Sequence, residues 1–369
     1  MENKMVFGKW EAITLLMNMI STKIVLNFQR KVAEDAGTAG WILTIYISVL
    51  ALLGFMVIEK LYAEFEGKDL LDIGEYIGGT VGRVMIGSVI FIFLVYIVTV
   101  VLREFSENLK IVTLTVSPIS FVSLFFLAGM IVGAYLGLEA LVRLHAIAIP
   151  VLTVTFLFIS FAISQYFNIS RIMPIFGTGL RNIFVGGFTK VSIFAELLIL
   201  FLIVPYIRTH KNFKTVGYTS LFIAGFSLTM SSLIFLLVFP YPAAIEGFLP
   251  MYQLSRLINY GRFFQRVESV FVFTWGIVAL LYLSAGFYFI VFTFKKTFNL
   301  TYYQPLIIPF AILIYTMSFL PPNLDSTVIL ETKYFRNTAW LVTFVMPIVI
   351  LLIAKTIKKR KKEVKHPNG

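Results

Sequence analysis

Ten long apolar runs dominate this 369-residue chain and constrain its fold more than any other feature. An α-helix needs about 20 apolar residues to cross the hydrocarbon core of a bilayer. Hydrophobic residues make up 59% of the chain and charged residues 14%, against roughly 45–50% and about 25% in soluble domains. A soluble globule of this length could not bury so much apolar surface. We therefore predict an all-α membrane protein, which excludes a soluble enzyme and a nucleic-acid-binding protein.

The ten runs predict ten transmembrane helices, numbered here as spans one to ten. They fall at residues 10–29, 39–58, 84–102, 119–137, 146–164, 183–207, 216–239, 269–294, 304–320 and 338–354. None alternates apolar and polar residues as the strands of a membrane barrel do. The acidic segment 69–82 is predicted to lie at the membrane interface. The connection 240–267 is predicted to form a capping helix or hairpin over one mouth of the protein.

No Ser- or Pro-rich linker divides the chain, so residues 1–369 are predicted to form a single membrane domain. Within it we expect a cytosolic segment 1–8, two five-helix halves at 9–164 and 183–354, and a basic cytosolic tail 355–369. An even number of spans puts both termini on one side. Counting Arg336 in the connection before span ten, Lys and Arg are equally numerous on the two sides until the tail is added. Because basic residues mark the cytoplasmic side, both termini are predicted to be cytosolic.

The chain has no cysteine and only three, widely spaced, histidines. It therefore offers no disulfide framework, no thiol nucleophile and no cluster for a metal ion. No nucleophile elbow, phosphate-binding loop or paired-carboxylate site is present either. We expect no catalytic residue, no metal and no cofactor. Much of the net charge of +12 lies in the tail, where it indicates contact with anionic lipid rather than with nucleic acid.

Two charged residues are predicted to lie well inside spans, Lys23 in span one and Glu196 in span six. An isolated charge at the centre of a helix costs about 2.5–3.5 kcal/mol on insertion scales. We therefore expect the two side chains to face one internal cavity and to interact directly or through one water. Spans one and six open the two halves, and inverted-repeat transporters interrupt such helices to build a site at mid-membrane. Interruptions are predicted near 21–23 and 192–196. The alternative is a structural pair with no role in ligand binding.

Several short motifs occur in an order that is specific when they are taken together. They are Gly8-Lys9-Trp10-Glu11-Ala12-Ile13, Arg30 with Ala36-Gly37 and Gly40-Trp41, Arg103 with Glu107, Ser117-Pro118, Gly137-Leu138-Glu139 with Arg143, Met173-Pro174, Glu196 with Pro205, and Arg266-Val267-Glu268 with Trp275. In this respect the chain resembles the B subunit of spore germinant receptors, the spore-germination permease family within the amino acid–polyamine–organocation superfamily. One stretch departs from the family, because Ser21-Thr22-Lys23-Ile24 stands where its first helix has a glycine-containing break.

The resemblance implies a leucine-transporter-like fold, with ten helices in a five-plus-five inverted repeat and with helices 1 and 6 broken. It also implies a ligand cavity between spans one, three, six and eight. In function it implies a nutrient sensor in the inner membrane of dormant spores, or in the cell membrane. Such a subunit acts with an A-type membrane subunit and a C-type lipoprotein, and its ligand is a small nutrient such as an amino acid.

The candidate ligand-binding residues lie on four spans. They are Ser21, Thr22 and Lys23 on span one, Phe93, Tyr96 and Ile97 on span three, Ala195 and Glu196 on span six, and Tyr282 on span eight. Ser and Thr hydroxyls favour local unwinding of a helix, so Ser21 and Thr22 could contact a ligand carboxylate or simply pack between helices. Glu196 could hold a ligand ammonium, carry a proton or neutralise Lys23.

A second set of charged and aromatic residues matches the family motifs at span boundaries. It comprises Arg103, Glu107, Glu139, Arg143, Arg266, Glu268 and Trp275. We expect these residues to fix loops or partner surfaces rather than to touch ligand.

Three functions remain open on the sequence alone. The first is a germinant-sensing receptor subunit. The second is a proton-coupled permease for amino acids or amines, with Glu196 or Lys23 as the protonation site. The third is a structural receptor subunit that has lost ligand binding because Lys23 fills its cavity.

Overall fold

The computed structural model describes residues 7–259 and 267–365, and every regular element in these two ranges is helical. The α-helices are α1 (Lys9–Ser21), α2 (Phe28–Ala36), α3 (Gly40–Tyr62), α4 (Leu70–Val112), α5 (Ile119–Ala162), α6 (Ile199–Ile207), α7 (His210–Val238), α8 (Tyr241–Glu246), α9 (Pro250–Arg256), α10 (Val267–Thr297), α11 (Ile307–Ser318), α12 (Leu324–Ile329), α13 (Arg336–Trp340) and α14 (Met346–Lys365). Short 3₁₀ and π-helical segments join several of them. The predicted all-helical architecture is confirmed for the described residues.

Seven helical segments of the described chain are long and apolar enough to cross a membrane. They are Phe28–Phe65, Leu70–Val112, Ile119–Ala162, Asn182–Ile207, His210–Val238, Glu268–Thr297 and Leu324–Lys361, and a shorter apolar helix covers Gln304–Ser318. The protein is therefore a multi-pass membrane protein. Many large hydrophobic side chains are exposed along these segments, as is expected of helices that contact lipid.

Glycines interrupt two of the long helices, α4 and α5. In α4 the chain turns at Gly78 and Gly79, and Gly79 has φ 60°, so that Gly82 lies against the backbone of Gly74. In α5 Gly137 has φ 80° and ψ 177°, which bends the helix sharply between 119–136 and 138–162. Only glycine adopts such left-handed and extended combinations without steric cost. The turn in α4 separates a short helix, 70–77, from the long span 80–112.

Helix α1 lies at the centre of the bundle. It packs against α5, α7 and α10, and its apolar side chains from Ala12 to Ile20 are almost completely buried on all faces. A helix that is apolar all round is expected in such a position rather than at a surface. The next helix, α2, follows after an interruption at residues 22–27.

The last span starts well before its predicted first residue, 338. A continuous helical run from Leu324 passes through two π-helical segments, Leu330–Phe335 and Leu341–Val345, before α14. The predicted boundary was wrong because Glu331, Lys333 and Arg336 lower the local hydropathy. Because this helical run includes Arg336, that residue does not lie in a connection between spans, where the charge count had placed it. Its side chain is buried inside the protein.

Short helices lie in the two segments that were predicted at the membrane interface and over one mouth of the protein, 69–82 and 240–267. The short helix 70–77 begins directly after Asp69. The Asp69 carboxylate accepts hydrogen bonds from the backbone N–H groups of Leu71 and Asp72 and so caps this helix. Lys296, at the end of α10, pairs with both Asp69 and Asp72. The connection after α7 contains α8 and α9. Residues 260–266, which include Arg266, lie outside the described residues.

We predict that Gly217→Ala destabilises the protein, because Gly217 on α7 packs directly against the ring of Phe55 on α3 and a Cβ there would overlap that ring. Overpacking of this kind costs about 1–3 kcal/mol. The unfolding midpoint of the purified protein in detergent measures the effect. Gly276→Ala is the matched control, because no atom of the described residues lies within 4 Å of a Cβ at that helical position. Equal shifts in the two variants would contradict the close packing of α3 on α7.

Candidate ligand site

The first span is irregular between α1 and α2. α1 ends at Ser21, a 3₁₀ turn covers Thr22–Val25, and Leu26 has φ −104° and ψ −136° before α2 begins at Phe28. Two side chains bind carbonyl oxygens near the end of α1. The Thr22 hydroxyl donates to Asn18 O at 2.6 Å, and the Lys23 ammonium donates to Ile20 O at 3.0 Å. Such side-chain bonds compete with the α-helical pattern, which accounts for the change of backbone here.

A second irregular segment precedes α6. Residues Phe188–Leu198 form a 3₁₀ helix, in which Phe194 has φ −92° and ψ 19°. Polar groups of the last span bind this segment. Trp340 N donates to Ser192 Oγ at 2.8 Å, and the Thr343 hydroxyl donates to Ala195 O at 3.0 Å. Backbone at membrane depth must find partners within the protein, and the last span supplies them.

Four charged side chains meet between these irregular segments; Lys23, Glu196 and Arg336 are buried, and Glu331 is partly exposed. We name them the charge cluster: Lys23, Glu196, Arg336 and Glu331. Lys23 Nζ lies 2.5 Å from Glu196 Oε2, and Arg336 Nη2 lies 3.3 Å from Glu196 Oε1. Arg336 Nε also lies 2.6 Å from Glu331 Oε1. Tyr282 donates its hydroxyl to Glu196 Oε1 at 3.1 Å. The predicted contact between Lys23 and Glu196 is therefore confirmed.

The charge cluster contains two cations and two anions in alternating order. Lys23 and Arg336 are each 5% exposed and Glu196 is 3% exposed, so water contributes little to their solvation. A buried charge without a partner costs several kcal/mol, whereas here each charge contacts an opposite one. The remaining donors also find acceptors, because Arg336 Nη1 donates to Ser192 O at 3.0 Å. The cluster ties the first span, the segment before α6 and the last span together.

A polar cavity of about 200 Å³ lies against the charge cluster. Its walls come from the start of α2, α4, the segment before α6, and the last span; the charged residues that line it are Lys23, Lys31, Glu34, Asp35, Glu104, Lys190, Glu331, Lys333 and Arg336. Several of these charges are paired with one another, as are Lys31 with Glu34 at 2.8 Å and Lys190 with Asp35 at 3.1 Å.

Glu104 differs from the other acids of the cavity wall. Its side chain is 3% exposed, and it accepts a hydrogen bond from Asn27 Nδ2 at 3.1 Å. Within the described part of the chain it forms no ion pair. A buried carboxylate without a cation is costly. Glu104 is therefore the position on the cavity wall at which a cationic group of a ligand would contribute most to the binding free energy.

A second, apolar cavity of about 110 Å³ lies on another side of the first span, between α1, α5, α7, α9 and α10. Ser21, Thr22 and Trp275 line it. The Ser21 hydroxyl and the Trp275 indole N–H are buried and have no hydrogen-bond partner among the residues that the structure describes. The structure thus separates Ser21 and Thr22 from the cavity that Lys23 lines, although the three residues are adjacent in sequence.

The aromatic residues predicted on span three face the last span. The rings of Phe93 and Tyr96 lie 5.0 Å and 5.5 Å from the ring of Phe335, and the Tyr96 hydroxyl donates to Leu330 O at 3.0 Å. Ile97 is 1% exposed and belongs to the core. Of the nine candidates, the structure brings Lys23, Glu196 and Tyr282 into direct contact.

The boundary residues form local contacts. Arg103 pairs with Glu107 one turn later at 2.8 Å and lies over the ring of Phe319. The exposed pair of Glu139 and Arg143 is also one helical turn apart. Trp275 is 1% exposed and lies 5.8 Å from the ring of Phe105. Glu268, in the first turn of α10, is partly exposed.

Sequence reasoning missed Arg336, Glu331 and Glu104. Arg336 was assigned to a connection because it interrupts the apolar run of the last span, and Glu331 was not considered as a site residue. Their spacing held a usable signal, since residues five apart in a π-helical turn lie close together. Glu104 lies one residue after Arg103, in a stretch taken as a span boundary.

Comparison with known proteins identifies the family. The sequence profile of a family described as spore germination protein matches residues 8–326. The chain belongs to the spore germination protein family. This confirms the resemblance inferred from the motifs.

Two curated members of this family from Bacillus subtilis (strain 168) are similar to the chain. Spore germination protein YndE is 24% identical over 362 residues, which cover 95% of this chain and 97% of that protein. Spore germination protein B2 is 22% identical over 214 residues, which cover 58% of this chain and 57% of that protein.

Among solved structures, MhsT in complex with L-phenylalanine is similar in fold to this spore germination protein. The TM-score is 0.65 at 14% sequence identity, and the alignment covers 95% of this chain and 89% of that chain. At this identity the likeness shows the fold alone, which is leucine-transporter-like. Family and fold are thus permease-like.

We predict that Lys23→Met and Glu196→Gln each lower the free energy of unfolding, and that Glu196→Gln has the larger effect. Breaking a buried pair costs about 3–5 kcal/mol. Lys23→Met leaves Glu196 in contact with Arg336, whereas Glu196→Gln leaves two buried cations near each other. In the double variant the loss should be smaller than the sum of the single losses. Thermal unfolding of the four purified proteins measures this.

Arg143→Met is the control for that series, because it removes a cation from an exposed pair and should be close to neutral. If the loss of unfolding free energy in the double variant equals the sum of the losses in Lys23→Met and Glu196→Gln, the two residues are not coupled.

Proposed function

We propose that this protein is the nutrient-sensing membrane subunit of a spore germinant receptor and that it binds an amino acid or a similar small nutrient in the polar cavity. The observation that carries this proposal is the buried charge cluster beside the cavity. Charged groups at membrane depth are costly, and in membrane proteins they mark functional sites. Here they adjoin two irregular backbone segments, as in transporters with a site at mid-membrane.

The proposal includes a ten-span topology. The first half, 9–164, would contain spans one to five, and the second half, 183–354, spans six to ten. The interruption at residues 22–27 and the 3₁₀ segment Phe188–Leu198 would be the breaks of helices 1 and 6. The sharp bend at Gly137 would separate spans four and five. The likeness in fold to MhsT supports this arrangement.

The cavity favours a small ligand with both a positive and a negative group. Its volume of about 200 Å³ is below the roughly 300–1,000 Å³ of pockets that hold drug-sized molecules. Glu104 would accept a hydrogen bond from the ammonium of such a ligand, and the cations on the same wall would donate hydrogen bonds to its carboxylate. MhsT was solved with L-phenylalanine, which supports the class of amino acids.

The family resemblance supplies the proposed setting. The protein would lie in the inner membrane of the spore and act with an A-type membrane subunit and a C-type lipoprotein. Ligand binding would shift the population of receptor conformations, which requires that the ligand binds one conformation better than the other.

A proton-coupled permease is the second candidate, and Glu104 is the observation that favours it. A buried carboxylate that has no ion pair among the described residues is suited to carry a proton. Uptake of labelled amino acids into proteoliposomes, dependent on a proton gradient, would support this function over sensing. The third candidate, a structural subunit, requires that no nutrient binds at all.

A thermal-shift screen of the purified protein against amino acids, sugars and nucleosides tests the proposed function. A ligand at 100 times its Kd should add about 2.7 kcal/mol to the free energy of unfolding. A shift with one class of nutrient supports sensing or transport. The absence of a shift with every class would favour the structural subunit.

We predict that Glu104→Gln abolishes the stabilisation by the nutrient found in that screen and the germination response, while the protein remains at normal abundance. The neutral amide keeps the hydrogen bonding of Asn27 possible but cannot attract a ligand ammonium. Ligand-induced thermal shift and spore germination rate measure the two effects. Glu139→Gln is the control, since that carboxylate is exposed and distant from the cavity wall. An unchanged response in Glu104→Gln would remove Glu104 from the proposed site.

We predict that a cysteine introduced by His366→Cys is not labelled from outside intact cells by a membrane-impermeant maleimide, because the basic tail belongs in the cytosol. The chain has no other cysteine, so the signal comes from this position alone. Ser170→Cys is the matched control, because Ser170 is exposed in a connection assigned to the opposite side. Labelling of the tail from outside would reverse the proposed orientation.

A further inference from the structure

The Lys23 ammonium has a complete set of hydrogen-bond acceptors. An ammonium has three N–H donors and no acceptor. Three oxygens surround Lys23 Nζ, namely Glu196 Oε2 at 2.5 Å, Ile20 O at 3.0 Å and Met19 O at 3.4 Å. All three lie within the protein, and the lysine is 5% exposed. We name these three oxygens the oxygen shell.

The oxygen shell is electrostatically suited to a cation. Met19 and Ile20 lie in the last turn of α1, where carbonyl groups carry the negative end of the helix dipole. That turn contains no basic residue of its own. The Glu196 carboxylate adds a full negative charge. A primary ammonium matches the shell in charge and in number of donors.

The shell also adjoins the polar cavity. Lys23 lines that cavity and its ammonium contacts the three oxygens, so its side chain connects the cavity wall with the shell. Shortening this side chain would open a channel three carbon atoms and one nitrogen long. A free amine of that size could then reach the same oxygens.

We propose that Lys23 is a tethered occupant of an ammonium-binding subsite in this protein. The chain supplies its own primary ammonium to the oxygen shell, and a free ligand has to place any amino group elsewhere on the cavity wall. The proposal deepens the proposed function and rests on it for the location of the ligand site. It implies that the oxygen shell of the unmodified protein does not bind simple primary amines, whereas the shell of a variant with a shortened residue 23 does.

Lys23→Ala tests this by chemical complementation with propylammonium, which replaces the atoms beyond Cβ. Thermal unfolding is followed in detergent with and without the amine, and with 1-propanol as the uncharged analogue. We expect propylammonium to raise the unfolding midpoint of Lys23→Ala by roughly 2–4 °C or more at saturating concentration. The unsubstituted protein and Lys23→Met, whose stem still fills the channel, should show a clearly smaller rise, because in them the amine can bind at Glu104 but not at the oxygen shell. 1-Propanol should have no effect on any of them.

An equal response of Lys23→Ala, Lys23→Met and the unsubstituted protein to propylammonium would overturn the proposal. So would stabilisation of Lys23→Ala by 1-propanol to the same extent, because the shell would then be a hydrophobic gap. The readout does not involve germination. Failure of the receptor role therefore leaves this result intact, and failure of the amine effect leaves the nutrient screen intact.

Lys23→Cys provides the test if Lys23→Ala does not accumulate in membranes. The chain has no other cysteine, so membranes can be treated with 2-aminoethyl methanethiosulfonate, which attaches an aminoethyl group to the thiol through a disulfide. The attached ammonium should raise the unfolding midpoint above that of the same variant treated with the neutral ethyl reagent. Equal midpoints after the two treatments would overturn the proposal.

Discussion

The contact between Lys23 and Glu196 is the interaction on which the arrangement of the helices depends. Both charges lie at membrane depth, where neither water nor lipid can solvate them, so each needs a partner from the protein. Arg336 and Glu331 extend the contact to four alternating charges. Apolar packing between helices in lipid has little directional preference. The charge cluster therefore fixes the relative position of the first span, the segment before α6 and the last span.

The irregular backbone and the polar cavity follow from the same constraint. A span that leaves the α-helical pattern frees carbonyl and N–H groups, and these are tolerated at membrane depth only inside protein or beside a cavity. Ile20 O binds Lys23, Ser192 O binds Arg336, and Ala195 O binds Thr343. Side chains of the charge cluster, together with Thr343, thus satisfy the backbone that carries the cluster. This mutual dependence accounts for the position of the cavity beside it.

The same geometry limits what the cavity can bind. Most of its charges are paired with each other, and Lys23 fills the oxygen shell at the end of α1. The remaining buried carboxylate, Glu104, accepts a hydrogen bond only from the neutral amide of Asn27 among the described residues. A ligand that places a cationic group at Glu104 therefore gains more binding free energy than a ligand whose cationic group competes with Lys23. Glu104 is accordingly central to both the sensing and the permease candidates.

The sequence by itself determined the membrane class, the all-helical fold, the family and the pairing of Lys23 with Glu196. These follow from local composition, motif order and the cost of an isolated charge, none of which needs coordinates. Only the tertiary structure decided that Arg336 and Glu331 complete the cluster and that Ser21 and Thr22 line a different cavity from Lys23. Successive helical residues point about 100° apart, and which neighbour each one meets depends on how the spans pack. The ten-span count and the ligand-binding roles of the candidates stay predictions.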